Sequence, residues 1–335
     1  MKRTLLYGIL ITDILRKECI IMVKDQKEHI TSIGGSAVME GVMMKGPREI
    51  ATAVRKSDGE IVIDKRAVSS LVTKYHVNKI PIVRGVFAFF DSMISSTRAL
   101  MWSAEFVELE EEESESKFDK WLSRKFGDKI KDIVIYFSLV ISLVFSIGLF
   151  FFLPNLITGF LLGDVVENNL LKTLIEGVIR ISIFLGYVIL VSQMEDIKRV
   201  FQYHGAEHKT IFCYEAGLDL TVENARSMPR LHPRCGTSFL VFVMIISIIL
   251  FSFISWSNIW IRLGLRLLLL PVVAGLSYEV IRWAGKSKSK VVCVISKPGM
   301  MLQKITTREP DDSQLEVAIT SMKAVLTDNK EDDKW

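Results

Sequence analysis

The chain has 335 residues, 50% of them hydrophobic, with a mean hydropathy of +0.32. That balance is too apolar for an ordinary soluble protein and points to membrane segments. With 42 basic against 38 acidic residues nothing argues for nucleic acid as a partner, and the four scattered cysteines (Cys19, Cys213, Cys235, Cys293) lack the spacing of a disulfide framework.

Residues 1–30 read as an N-terminal extension. Its basic start and short apolar run are interrupted by Asp13, and no small-residue cleavage site follows, so it is not a signal peptide; Met22 is an alternative start. Residues 31–107 read as a β-rich unit plus an amphipathic helix. "IATAVRKSDGEIVIDKR" is two runs of β-formers about the turn Ser57-Asp58-Gly59, a hairpin signal. Ahead of it, "GGSAVMEGVMMKGP" is rich in glycine without Walker or dinucleotide spacing, so its glycines serve tight turns and close packing. From Ile82 apolar residues recur at spacings of three and four to Ala104, a helix that lies either on the membrane surface or on the soluble domain. Residues 108–132, including "ELEEEESES", read as a solvated linker.

Four segments read as transmembrane helices. Ile133–Leu153 carries no charge and is long enough, at about 1.5 Å per residue, to span a hydrocarbon core of about 30 Å. Ser238–Trp256 is equally apolar. Leu174–Met194 holds Glu176 and Arg180 one helical turn apart, where they can pair, and Trp260–Trp283 holds Arg262, Arg266 and Glu279. Charges at such depth need compensation, and Glu279 is expected to have a pairing role, with a metal site, a substrate or Arg180, the alternative being that it snorkels or pairs with Arg282 at the interface. A loop is expected from Pro154 to Thr173. Basic residues before the first span, in the 195–237 loop and after the fourth span put both termini and that loop on the cytoplasmic side. In the C-terminal segment, 284–335, "VVCVIS" reads as a strand and "KPGM" as a turn. Asp312 or Ser313 then caps a short amphipathic helix. The expected fold is a polytopic α-helical membrane protein with four transmembrane helices and a mixed α/β cytoplasmic domain formed by the N- and C-terminal parts.

The 195–237 loop carries the chemistry. In "FQYHGAEHKTIFCYE", a helical backbone puts His204 and His208 on one face, where both can ligate one ion. Glu207, one position off that face, then suits the general base of a His-x-x-Glu-His metallopeptidase. Glu215 is an alternative oxygen ligand. Downstream, "LHPRCGTSF" offers His232 and Cys235. His204, His208, His232 and Cys235 together make a closed set for a divalent metal such as zinc. A structural zinc wants four protein ligands, whereas a catalytic one keeps three and an open position, so ligand number decides between the two uses.

With "GGSAVMEGVMMKGP", "IPIVRGVF", "YHGAEHKTIFCYE", "HPRCGTSF", "SYEVIRWAGK" and "TTREP", the chain resembles the bacterial YqhQ family from about residue 30 to residue 326. The resemblance implies a membrane protein of a family labelled predicted metal-dependent enzymes, a label that rests on the same His-Glu-His pattern. The leading expectation is a metal-dependent hydrolase at the cytoplasmic membrane face. The alternatives are a membrane-protein assembly or translocation partner with a structural metal, or a transporter.

Overall fold

The computed structural model describes residues 29–68, 74–75, 77, 79–111, 130–162, 168–254, 259–287 and 290–334. Apart from His29 and Ile30, the N-terminal extension lies outside these residues, as does most of the 108–132 linker.

The N-terminal part is a four-stranded antiparallel sheet in the order β1 (Gly34–Val38), β2 (Gly41–Lys45), β3 (Glu49–Arg55) and β4 (Ile61–Ala67). The anticipated hairpin is β3–β4, and Gly59 takes the positive φ of +87° that its turn requires. The glycine-rich stretch ahead of it forms a second hairpin, β1–β2. Because side chains alternate across a strand, Val42, Met44, Ala51 and Ala53 fill one face, and Val38, Met43 and Val54 the other. Helices cover both.

The helix α1 (Val83–Glu111) covers the second face through Ala99, Trp102 and Phe106. Its other end packs on α8 (Ile259–Lys286). Gly85 and Gly275 allow this approach: a Cβ on Gly275 would sit 2.5 Å from the carbonyl oxygen of Ile82. Ile82 itself takes φ +66°, costly for a β-branched residue. Glu279 on α8 holds it there, accepting from the Ile82 amide at 3.3 Å and from Arg84 Nε at 2.7 Å. The partner of Glu279 is therefore Arg84, on a helix distant in sequence, rather than Arg180 or Arg282.

Among the described residues three helices are long and apolar enough to cross a membrane by length and composition: Val140–Leu161, Leu170–Val191 and Trp260–Gly285. The first begins in α2 (Ile130–Ile147), passes through a π turn (Gly148–Phe152) and continues as α3 (Leu153–Leu162). The loop expected from Pro154 is thus helical as far as Leu162. Proline lacks the N–H that an α-turn needs, and the wider π turn just before it, with Leu153 N–H bonded to Gly148 O, absorbs the break. The second is α4 (Asn169–Val191), its N-terminus capped by the Asn168 side chain. The segment expected at Ser238–Trp256 forms α7 (Gly236–Phe251), shorter than the other three and packed among α4, α8 and the helix Lys290–Thr306. Charges within these helices meet: Arg180 Nη2 donates to Glu176 Oε1 at 2.7 Å, and Arg266 donates to both oxygens of Glu176, at 3.0 Å to Oε2.

The C-terminal segment departs most from the sequence reading. "VVCVIS" and "KPGM" lie within one helix, α9 (Lys290–Thr306), not a strand and turn. A short β-branched run does not distinguish a strand from a buried helix, and burial against α7 decides here. Gly299 makes that contact, since a Cβ there would lie 2.5 Å from Ser238 Oγ. The final helix, α10 (Asp312–Val325), starts with Asp311 and Gln314 in a capping box. Leu315, Ala318, Ile319 and Met322 of α10 close the first face of the sheet together with α5 (Glu195–Glu215) and the short α6 (Val222–Arg226). Thr31 bridges to Lys334, so both ends of the described chain join one unit.

Candidate metal centre

The helix α5 follows directly on α4, with Glu195 and Asp196 in its first turn, where acidic groups favour the helix dipole. Its inner side is buried from Tyr203 to Tyr214. Gly205 lets the segment after α9 lie against it, because a Cβ would come 2.1 Å from Arg308 O. Arg308 N–H donates to Phe201 O at 2.8 Å, fixing that segment along the helix.

These contacts orient both histidines. His204 Nδ1 lies 2.8 Å from Thr306 O, and His208 Nδ1 2.6 Å from Arg230 O. A carbonyl only accepts, so each Nδ1 carries the proton and each Nε2 presents a lone pair. Metal-ligating histidines are held by such an outer hydrogen bond. His204 Nε2 points at Cys235 Sγ, 3.1 Å away. His208 Nε2 is buried and makes no hydrogen bond of ordinary geometry. Cys235 sits at the N-cap of α7, its sulfur accepting from Thr237 N–H at 3.4 Å. The ligand atoms of His204, His208 and Cys235 all lie within 4.8 Å of one another. A tetrahedral zinc, with nitrogen at about 2.0 Å and sulfur at about 2.3 Å, spaces such atoms about 3.5 Å apart. Two imidazole nitrogens, one of them buried without a hydrogen bond of ordinary geometry, and one sulfur fit a zinc-type ion.

The electrostatics favour the ligating forms. Burial lowers the pKa of His208, against the attraction of the Cys235 sulfur. Burial opposes ionisation of Cys235, yet His208 and Thr237 outweigh it and hold the thiol below its usual value. Glu207 is buried beside the trio. Burial pushes its carboxyl up to about 7, against the pull of His204 and of a hydrogen bond from the Gly35 amide. Gly35 is required here, since a Cβ would lie 3.0 Å from Glu207 Cδ and 2.6 Å from Met43 O.

The other residues singled out in the sequence lie to one side. His232 stacks near His208, ring centroids 5.5 Å apart, and its Nδ1 accepts from the Arg234 amide at 3.3 Å. Its Nε2 is 3.9 Å from Glu215 Oε2. Glu215 is bound by Arg234 and by the Thr31 amide at 3.0 Å. Burial opposes its charge, but His232 and Arg234 prevail and depress its pKa. Gln303 reads the His232 backbone on both sides, accepting from its N–H and donating to its carbonyl, each at 2.8 Å. The structure thus gathers three of the four ligands expected and places His232 with Glu215 in an adjoining network.

Thr306, Arg230, Gly35 and Gln303 belong to the site and escaped the sequence reading. Two act through backbone carbonyls, which no residue type announces. The signal for Gly35 was present in the glycine-rich motif, read there only as turns and packing.

A family model described as "Protein of unknown function (DUF1385)" matches residues 80–328. The chain belongs to this family. It is 36% identical over 298 residues to the uncharacterized protein YqhQ of Bacillus subtilis (strain 168), covering 88% of this chain and 92% of that protein. No solved structure matches the chain. The membership agrees with the resemblance carried by the motifs, and it brings no activity with it.

Proposed function

We propose that the chain is a membrane-embedded, metal-dependent hydrolase, with His204, His208 and Cys235 as metal ligands and Glu207 as proton acceptor. The observation that carries this reading is the number of converging ligand atoms. Among the described residues three protein donors converge, and such a set leaves a coordination position open, as a catalytic zinc requires, where a fourth would close it. An ion so held supplies Lewis acidity, polarising a carbonyl or phosphoryl oxygen and making water nucleophilic near neutral pH. Glu207, next to His208 on α5, interacts electrostatically with His204 and Cys235 and is anchored by the Gly35 amide; in this reading its carboxylate would take a proton and return it to a leaving group. The distribution of Lys and Arg favours a multi-pass protein with both termini and this centre in the cytoplasm.

A structural metal is the second reading. It is favoured by the way the centre ties α5, the loop before α7 and the end of α9 together. The two are separated by elemental mass spectrometry of the detergent-purified chain beside Glu207→Gln and a His204→Ala/His208→Ala double variant. About one zinc-type ion per chain, lost in the double variant and retained in Glu207→Gln, is expected. A Glu207→Gln chain that still complements a deletion strain, while the double variant does not, rejects the hydrolase. Absence of metal in chelator-free preparations rejects both.

A further inference from the structure

We propose that Arg180, Arg262 and Arg266 form a binding site for a phosphate group, at the end of the helix bundle remote from the His/Cys centre. Helix α7 measures the separation. Cys235 caps its first turn and Phe251 closes its last, roughly 24 Å away at 1.5 Å per residue. The Phe251 ring lies against two guanidinium groups, with Arg180 Cζ 5.5 Å and Arg266 Cζ 5.4 Å from its centroid. Arg180 also faces Phe151 at 5.3 Å. Glu176 and Arg266 each stand seven residues into their helices, so the cluster sits about 10 Å in from those helix starts.

The charges do not balance. Among the described residues Glu176 is the acid bonded to this cluster, and it takes both Arg180 and Arg266. Among the described residues Arg262 bonds the neutral Asn155, Nη2 to Oδ1 at 3.1 Å. Among the described residues, three positive charges against one negative leave two in an environment where uncompensated charge is costly. The donors are not satisfied either. Nε of Arg180, Arg262 and Arg266 is buried without a hydrogen-bond partner, and the residues of Arg180 and Arg266 are only 7% and 3% exposed. Two surplus charges and three spare N–H groups match a phosphate dianion, whose oxygens the guanidinium fork binds in pairs. Arg262, half-buried near the start of α8, gives the side of entry. The chemistry is shared by an anionic lipid headgroup and by free phosphate, and the depth suits either.

The test uses the full chain in a neutral detergent. Its melting temperature is followed against dioctanoyl phosphatidic acid, dioctanoyl phosphatidylcholine and inorganic phosphate, in wild type, Arg262→Gln and Arg262→Lys. Phosphatidic acid is expected to raise the melting temperature saturably and phosphatidylcholine to leave it unchanged. Half-saturation should move at least tenfold higher in Arg262→Gln. Arg262→Lys keeps the charge without the Nε–H and should fall between, and it carries the test alone if the glutamine variant does not melt cooperatively. A saturable effect of inorganic phosphate at millimolar concentration identifies a free-phosphate site, and an effect of the lipid alone identifies a headgroup site. Equal half-saturation in all three proteins, or no saturable effect of either anion, overturns the proposal.

Discussion

His204 Nε2 and Cys235 Sγ stand 3.1 Å apart although 31 residues separate them in the chain. The contact joins a helix interior to the N-cap of another helix, and on it depends whether the centre has three protein ligands or four. Cys235→Ala is expected to lower bound metal at least tenfold. His232→Ala should keep it near the wild-type level, since both His232 nitrogens face Arg234 and Glu215. Elemental analysis of the two purified variants decides; metal lost from His232→Ala would show that the ring turns inward to complete a closed set.

Gly205 touches no ligand atom, yet its substitution should disturb the centre. In Gly205→Ala the added methyl meets backbone, Arg308 O at 2.1 Å, and backbone cannot rotate away. The segment carrying Thr306 must then back off from α5 and release His204 Nδ1. A loss of about 2 kcal/mol is expected from such overpacking, together with weaker metal retention during dialysis against a mild chelator. Retention equal to wild type would mean that the Thr306 carbonyl does not position the ring.

Glu176 is bound by two arginines in the interior of the helices. Removing one partner of a buried ion pair leaves uncompensated charge and costs about 3–5 kcal/mol. Glu176→Gln should therefore unfold far earlier than wild type in a denaturing-detergent titration. Glu331→Gln, which loses only the exposed pair with Lys334, should shift it by about 0–1 kcal/mol. Similar shifts for both variants would place water around Glu176.

Asp311 gives a pH dependence with a defined sign. Burial works against its charge, but hydrogen bonds from Ser313 and from the Gln314 amide prevail and hold its pKa below the usual value. A depressed carboxylate stabilises the fold above its unfolded pKa of about 3.9, and that contribution disappears as pH falls through the lower folded value. Asp311→Asn keeps a capping oxygen without titrating, so it should be nearly as stable at pH 7. Between pH 4 and pH 2.5 its melting temperature should fall less steeply than that of wild type. Parallel profiles would show that the cap does not sense pH.

The parts of the molecule legible in the sequence share one property: their signal is local. A hairpin announces itself through Asp58-Gly59, the first apolar helix through uninterrupted length, and the His204/His208 pair through helical spacing. The parts that were not legible depend on remote partners. Glu279 waits for Arg84 on a helix 195 residues away. Lys290–Thr306 is helical because α7 offers Ser238 to Gly299, which the β-branched run "VVCVIS" cannot reveal. His232 looked like a ligand by its spacing to Cys235, but Arg234 two residues on takes its ring nitrogens. Ligand number, the point left open by composition and spacing, is a tertiary property.

The carbonyl of Thr306 also sets an order of events during synthesis. A ribosome that has just completed Cys235 has made all three sulfur and nitrogen donors, but not the group that holds the His204 ring. That group emerges only after α7, α8 and most of α9 have been translated. Under the proposed metal-dependent reading, a nascent chain would meet metal with loose ligands for some seventy residues of elongation, and tight capture would be a late checkpoint, reporting that the helices between donor and lock have already found their places.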